Sequence, residues 1–449
     1  MLNIFIRFLS IYVLSFSFLL SFDGDTHDFY LSNGLKVIIQ ESHSFPRLAV
    51  NIAFDIGSHD DPLGKKGLTH IMGELMWQGS ENYKKDEHYS LIEETGGWSN
   101  VDLWHIDDHL QFRNLTTTDN YELVLKLEAD RMESLLINSE TVSTAKDLAI
   151  DHLHEQMSSP WSSNITAISS LWTDNHPYSF YNGGTIEDIQ NISVEDCQSA
   201  YDKYFNPNNA VLVIVGDVDP INSLELINKY FGSIKPSESL PENPNLSRQI
   251  KVNTKEKLRI MDTKLPHKLY FHAYSIPTMR DKDDIILELL DVILDIKSYQ
   301  FEIDNNFVTG SNTWKNEKLG DGFFIFIVAT NPYVPIKKSR QAVSQFINKL
   351  KREGIEEEQI NIGKKTLLRR RMYEKYWTGK IADKLSYSEI LHGDYKMYTN
   401  QLEIIKEINN EDLKRVANKY FINEKEIEMQ PENNNIFKQF VYSLYYTFF

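Results

Sequence analysis

The sequence predicts an α+β chain built as two similar halves, and three observations carry that prediction. From Asp23 onward, short apolar runs suited to strands alternate with longer stretches of helical period. Near the end of each half stands a matching segment, "EDCQSAYDKYF" at 195–205 and "EDLKRVANKYF" at 411–421, identical at Glu-Asp and Lys-Tyr-Phe with the same spacing. Between them, residues 235–253 ("KPSESLPENPNLSRQIKVN") hold three prolines among polar residues and read as a linker. A length of 449 residues is also too great for one ordinary core. The expected divisions are an N-terminal segment 1–22, a first lobe 23–234, the linker 235–253 and a second lobe 254–449.

In chain order, the turn pair Asn33-Gly34 precedes a strand at 35–40 ("LKVIIQ"), and a second strand follows at 48–56. Residues 68–77 are helical by period, because Leu68, Ile71, Met72, Leu75 and Met76 fall on one face and His70, Gly73, Glu74 and Trp77 on the other. Further helices are expected at 121–138 and 143–157, and a buried strand at 210–218 ("AVLVIVGDV").

Composition narrows the function. Hydrophobic content of 41% and aromatic content of 12% supply packed cores and argue against extended disorder. A formal charge of −17 argues against a nucleic-acid surface, which needs clustered Lys and Arg to meet phosphates. The single cysteine, Cys197, rules out an internal disulfide and cysteine-rich zinc sites, so any metal must be held by His, Asp or Glu. Residues 1–22 carry one charge, Arg7, and then an apolar run, the build of a secretory signal or, uncleaved, of an N-terminal anchor. The chain is therefore expected to be exported, periplasmic or anchored through this segment, with membrane contact nowhere else. The alternating aromatic end, 437–449, reads as a last strand or tail rather than as part of a barrel.

Four segments in order, "GLTHIMGELMWQGS", "LEADRMESLL", "HPYSFYNGGTIEDI" and "YFNPNNAVLVIVGDVDP", resemble the pitrilysin/insulinase zinc peptidases, most nearly the bacterial processing-peptidase-like members. The resemblance covers residues 28–220 well and the second half in layout. It implies two similar lobes, each a mixed or antiparallel sheet packed by helices, joined by a linker in a clam shell around a peptide. In that family an H-x-x-E-H helix supplies two zinc ligands and, between them, the general base, while a distant glutamate completes the site. Carried onto this chain, the ligand positions fall on His70, Glu74 and His152, and the base position falls on Gly73.

Two imidazoles and a carboxylate are the family's donor types in a permuted order, so zinc remains within reach, whereas Gly73 offers no side chain to accept a proton. Asp151 and Glu155 lie near His152 in sequence without a spacing that aims them at the site. Alternatively, His70 and Glu74 form a surface i, i+4 pair, and His152 and His154 lie on a helix's polar face. Glu128 and Arg131 of "LEADRM" read as a structural ion pair. The resemblance assigns peptide contact to Asn100 in "GGWSNVDLW" and to an exposed strand edge there. Tyr299 is what remains of the family's Arg and Tyr pair in the second lobe. The function expected is a non-catalytic member of the family that binds peptides or unfolded protein, or pairs with an active homologous subunit. The alternative is an active zinc endopeptidase with a rearranged His-Glu-His site.

Overall fold

The computed structural model describes residues 24–431 apart from 103–105, 160, 173–175, 181–182, 241–258, 264, 266 and 375. The expected signal segment, most of the expected linker and the aromatic C-terminus therefore lie outside the described residues.

In the first half, strands β1 (Thr26–Tyr30), β2 (Lys36–Glu41) and β3 (Arg47–Phe54) lead to helices α1 (Leu68–Leu75) and α2 (Glu87–Glu94). Strands β4 (Trp98–Val101) and β5 (Leu110–Thr117) follow, then helices α3 (Tyr121–Glu133), α4 (Ser139–Ser158), α5 (Ser162–Ser169), α6 (Ile186–Asn191) and α7 (Val194–Tyr204), strand β6 (Ala210–Gly216) and helix α8 (Pro220–Phe231). The second half runs β7 (Arg259–Thr263), β8 (Lys268–Ile276), α9 (Asp284–Asp304), β9 (Val308–Asn316) and β10 (Gly322–Thr330). Helices α10 (Ile336–Glu353), α11 (Glu357–Glu374), α12 (Thr378–His392), α13 (Met397–Glu407) and α14 (Asn410–Tyr420) precede the last strand, β11 (Lys425–Pro431).

The strand orders are β1-β2-β6-β3-β5-β4 and β7-β11-β8-β10-β9. Without β1 the two are the same order, and each holds its one parallel pair in the same place, β2 with β6 and β7 with β11. The short sequence match thus marks a repeated topology. Both copies are helices, α7 and α14, and each opens on a capping box, Ser193 with Asp196 and Asn409 with Asp412. Each closes on a phenylalanine of nearly equal backbone angles, Phe205 and Phe421, buried against Phe54 in one half and against Phe324 and Tyr274 in the other. The expected α+β fold of two similar lobes is what the structure has.

Each sheet packs one face on its own helices. In the first half Val37, Ile39, Val50, Ile52, Leu212 and Ile214 lie in one core with residues of α1, α3, α4 and α7. The opposite faces are covered by exchange. Ile381, Ala382 and Leu385 of α12, from the second half, pack on Ile38, Ala49, Val211, Val213 and Val215 of the first sheet. In return Ala167 of α5, with Leu171 and Trp172 after it, packs on Leu269, Phe271, Phe323 and Ile325 of the second sheet. Polar contacts reinforce the exchange: Asp383 accepts from Asn51 and Gln111 at 3.0 Å each and pairs with Arg113 at 2.8 Å.

One element is shorter than its period predicts. The helix expected over 121–138 stops at Glu133: the Ser134 N–H still bonds back to Asp130, but its carbonyl accepts from the Glu81 N–H at 3.0 Å and the Leu136 N–H donates to the Gly79 carbonyl at 3.1 Å, so the chain pairs with 79–81 instead of continuing the helix. Asn138 then caps α4, accepting from the N–H groups of Glu140 and Thr141, so that helix starts four residues earlier than expected, at Ser139.

Candidate metal centre

Helix α1 is short, and all eight of its residues are buried. Its start is fixed by a residue that sequence reasoning missed. Asp61, fully enclosed, accepts from the N–H groups of Gly67 and Thr69 at 2.8 and 2.9 Å and from the Thr69 hydroxyl at 2.6 Å. Burial pushes the Asp61 carboxyl up to about 6 despite these donors. Asp61-Pro62 has the residue types of a turn, but an acceptor six residues before the N-cap Gly67 lies outside the ordinary N-cap spacing. The "NGG" of the third motif has its reason at the same place. Gly184 has φ +79°, and a Cβ there would sit 2.0 Å from the Lys66 carbonyl oxygen, so only glycine lets this loop lie against the turn into α1.

From this anchored helix His70 and Glu74 project one turn apart, and α4 brings His152 to them. The structure thereby brings together all three residues expected as ligands. His70 Nε2 and Glu74 Oε1 are 3.5 Å apart, His152 Nδ1 and Glu74 Oε1 3.2 Å, and the two nitrogens 3.4 Å. The imidazole rings are parallel within 4° with centroids 5.6 Å apart, too far for a face-to-face stack. Both His70 and Glu74 are 6% exposed, which overturns the alternative of a surface i, i+4 pair. His152 is half-exposed and contacts both, while its neighbour His154 is exposed.

Zinc with bonds of about 2.0–2.1 Å in tetrahedral array needs donors about 3.3 Å apart. The three observed separations bracket that value, so the residues fit the ion. Among the described residues this is the one group of three or more such side chains whose donor atoms lie within metal-binding distance of one another. Gly73 sits inside α1 between the two donors, and Asp151 and Glu155 are exposed on α4.

The expected ion pair of "LEADRM" is buried and wider than a pair. Arg131 donates to Glu128 through Nε at 2.8 Å and Nη2 at 2.6 Å, and its guanidinium lies 4.0 Å from the Phe112 ring centroid. Glu128 also accepts from Asn114 at 2.6 Å, and Asn114 accepts from the Ser99 hydroxyl at 2.6 Å. This chain of bonds ends on β4, the last strand of its sheet. There Ser99 faces inward, while Trp98 and Asn100 face the other side. Asn100 is exposed, and its side chain accepts from the Val101 N–H at 2.8 Å. In the second half residues 295–313, the segment around Tyr299, divide between the end of α9 and the start of β9, and Tyr299 is 72% exposed on α9.

Two family models match the chain, Insulinase (Peptidase family M16) over residues 36–175 and Peptidase M16 inactive domain over residues 191–367. The chain belongs to the pitrilysin/insulinase family, M16. Helix α1 and His152 lie in the first match, and the match to the inactive-domain model begins beyond them. Similar curated proteins include the zinc protease PqqE of Helicobacter pylori, 25% identical over 87% of this chain and 89% of its own length. Another is the uncharacterized zinc protease YmxG of Bacillus subtilis, 18% identical over 86% and 92%. Among solved structures, a protease from Helicobacter pylori aligns with a TM-score of 0.83 at 21% identity, covering 91% of this chain and all of that one. Pitrilysin aligns with a TM-score of 0.71 at 16% identity over 91% of this chain and 45% of its own. The periplasmic protease PqqL of Escherichia coli aligns at 0.75 and 14%, over 92% of this chain and 48% of that one. These likenesses establish the M16 two-lobed fold.

Proposed function

We propose that this M16 chain is an exported peptide-binding protein that holds zinc on His70, Glu74 and His152 and does not cleave what it binds. The observation that carries the proposal is Gly73, in the middle of the helix that presents two of the three donors. Zinc bound there would supply a Lewis acid. Hydrolysis needs in addition a positioned group to take the proton of the attacking water, worth on the order of 10²–10⁴-fold. At the position where the family carries that group, this chain has no side chain. Peptide binding rests on other parts: among the described residues β4 is the outermost strand of its sheet, with Asn100 exposed on it, and an extended peptide adds to such an edge through main-chain hydrogen bonds alone. Such a protein serves as the binding partner of a catalytically complete homologous subunit. Export agrees with the periplasmic location of the Escherichia coli protease PqqL; among the described residues no helix is long and apolar enough to cross a membrane.

A second reading, an active endopeptidase with a rearranged site, is favoured by the near-tetrahedral spacing of the donors. One experiment separates the two. The full chain is loaded with zinc, desalted and assayed for metal, and cleavage of an unstructured peptide is followed with and without chelator. The expected result is one zinc per chain, lost in His152→Ala, with no turnover. Chelator-sensitive turnover that disappears in His70→Ala would replace the first reading by the second. Failure to retain zinc would remove the metal from both.

A further inference from the structure

We propose that Glu302 closes the edge of the second sheet to strand addition, so that the second half does not take up the extended strand its topology would otherwise admit. This closure stands whether or not β4 takes a peptide.

The first observation is an edge whose composition invites pairing. Among the described residues β9 is the outermost strand of the second sheet, and it holds there the place that β4 holds in the first. It is nine residues long against four for β4. Residues 308–314 ("VTGSNTW") contain neither a charge nor a proline, the residues that ordinarily keep exposed edges from pairing.

The second observation is what occupies that edge. The Ser311 N–H donates to Glu302 Oε1 at 2.7 Å, and the Ser311 hydroxyl donates to the same oxygen at 3.0 Å. Ser311 stands opposite Val328 in the β9–β10 register. Residues of an antiparallel pair alternate between bonding their partner strand and turning their N–H and C=O groups away from it. An N–H that donates to Glu302 is not spent on β10, so that of Ser311 points to the open side, where an added strand would bond it. The Glu302 carboxylate fills the place of that strand's carbonyl. A bond to an ionised acceptor is roughly twice as strong as the neutral one an incoming strand would offer. Local preference does not put a carboxylate here: Glu302 lies in the last turn of α9, where the helix dipole disfavours negative charge and no basic residue accompanies it.

The third observation is that both flanks of this position carry edge-blunting features. The register slips between Ala329 and Thr330, which face Gly310 and Val308, and leaves Thr309 without a counterpart. A bulge of this kind interrupts the regular run of edge groups. Toward the other end Lys315 turns its charge inward, to Asp284 at 2.8 Å and Glu317 at 2.5 Å. The regular, uncharged stretch lies between the two, and Glu302 stands in it.

The strand that fills this edge once Glu302 is removed is β9 of a second copy. Two such strands pair antiparallel about a twofold axis, each offering the other the same groups, and with no charge in 308–314 no like charges oppose them.

The test uses the full chain as wild type, as Glu302→Ala and Glu302→Ser, whose side chains cannot reach the Ser311 N–H, and as Glu302→Gln, which keeps an acceptor oxygen at the same length. Thermal melting verifies that each is folded. Hydrogen exchange, read by mass spectrometry over 308–314, should quicken about tenfold at one amide in the Ala and Ser variants and stay near wild type in the Gln variant. In sedimentation velocity the Ala and Ser variants should associate at concentrations about tenfold below wild type, with the Gln variant unchanged. A synthetic 308–314 peptide should find one further site per chain on Glu302→Ala, beyond any that wild type has, and its N-methylated form should not. Exchange as slow in Glu302→Ala as in wild type would show that Glu302 does not hold this edge. Faster exchange without added association or peptide sites would reduce the bond to a local tie between α9 and β9 and overturn the proposal. Equal association of the Gln and Ala variants would trace the effect to lost charge, with the same consequence. Wild type that takes up the 308–314 peptide with slowed exchange on β9 would overturn it without any variant.

Discussion

Replacing Arg131 by methionine tests how the edge strand is held. The guanidinium makes two hydrogen bonds to Glu128, at 2.8 and 2.6 Å, in a place where Glu128 is 1% exposed. Methionine keeps much of the packing against Phe112 and Trp77 but leaves the carboxylate without its counter-charge. An uncompensated buried charge of this kind costs about 3–5 kcal/mol. Asn114 continues to donate to Glu128 and keeps the loss toward the lower end. Urea unfolding of the two proteins, followed by tryptophan fluorescence, gives the difference from the shift in midpoint at constant slope. The double variant Glu128→Met with Arg131→Met should recover a good part of the loss, because it removes the stranded charge. Since the bonds run on through Asn114 to Ser99, Arg131→Met should also weaken the peptide binding proposed for β4. A cost below about 1 kcal/mol, or a double variant worse than the single, would refute the view that a buried charge pair carries this region.

Other expectations follow from the same structure. Gly184→Ala places a Cβ against the Lys66 carbonyl at a positive φ, and a strain of about 1–3 kcal/mol or more should appear in thermal melting together with weaker zinc retention, since the loop braces the start of α1. Burial holds the pKa of His272 down to about 4. The unfolded chain therefore takes up a proton that the native one refuses between about pH 6.5 and 4, and stability falls as pH drops through that window by at most about 3 kcal/mol. His272→Gln should flatten the fall, measured by urea unfolding at pH 7 and 4.5. Ser193→Ala and Asn409→Ala each remove a helix cap at matching places in the two halves and should each cost about 1 kcal/mol in urea unfolding.

Much of this architecture is legible in the residues, for reasons that are local. Helix α1 shows itself through its 3.6 period, and strand β6 through an unbroken apolar run. The repeat is legible because Glu-Asp and Lys-Tyr-Phe do the same work twice, an acid closing a capping box and an aromatic filling the core behind the helix. The three donors could be named because a helix puts His70 and Glu74 four residues apart on one face and the family register carries over to His152. Other features depend on contacts across long stretches of chain. No pattern in 57–69 says that Asp61 will reach forward to cap α1, and none in 134–136 says that these residues will leave a helix to bond Gly79 and Glu81. The coverage of the first sheet by α12 joins Ile381, Ala382 and Leu385 both to Ile38 and Ala49, at the far end of the first half's sequence, and to Val211, Val213 and Val215, and α12's own period, apolar on one side, does not name the surface it will meet.

That exchange of helices makes the chain behave like a domain-swapped dimer whose two subunits have been fused. Each half keeps the strand order of a self-sufficient module, yet each would expose a wide apolar sheet face if separated, Ile38, Ala49, Val213 and Val215 on one side and Phe271, Phe323 and Ile325 on the other. A fragment cut at the proline-rich segment would therefore be a sticky half, and the two lobes should melt together rather than one after the other. Duplication has here produced two modules that each supply the other's missing cover.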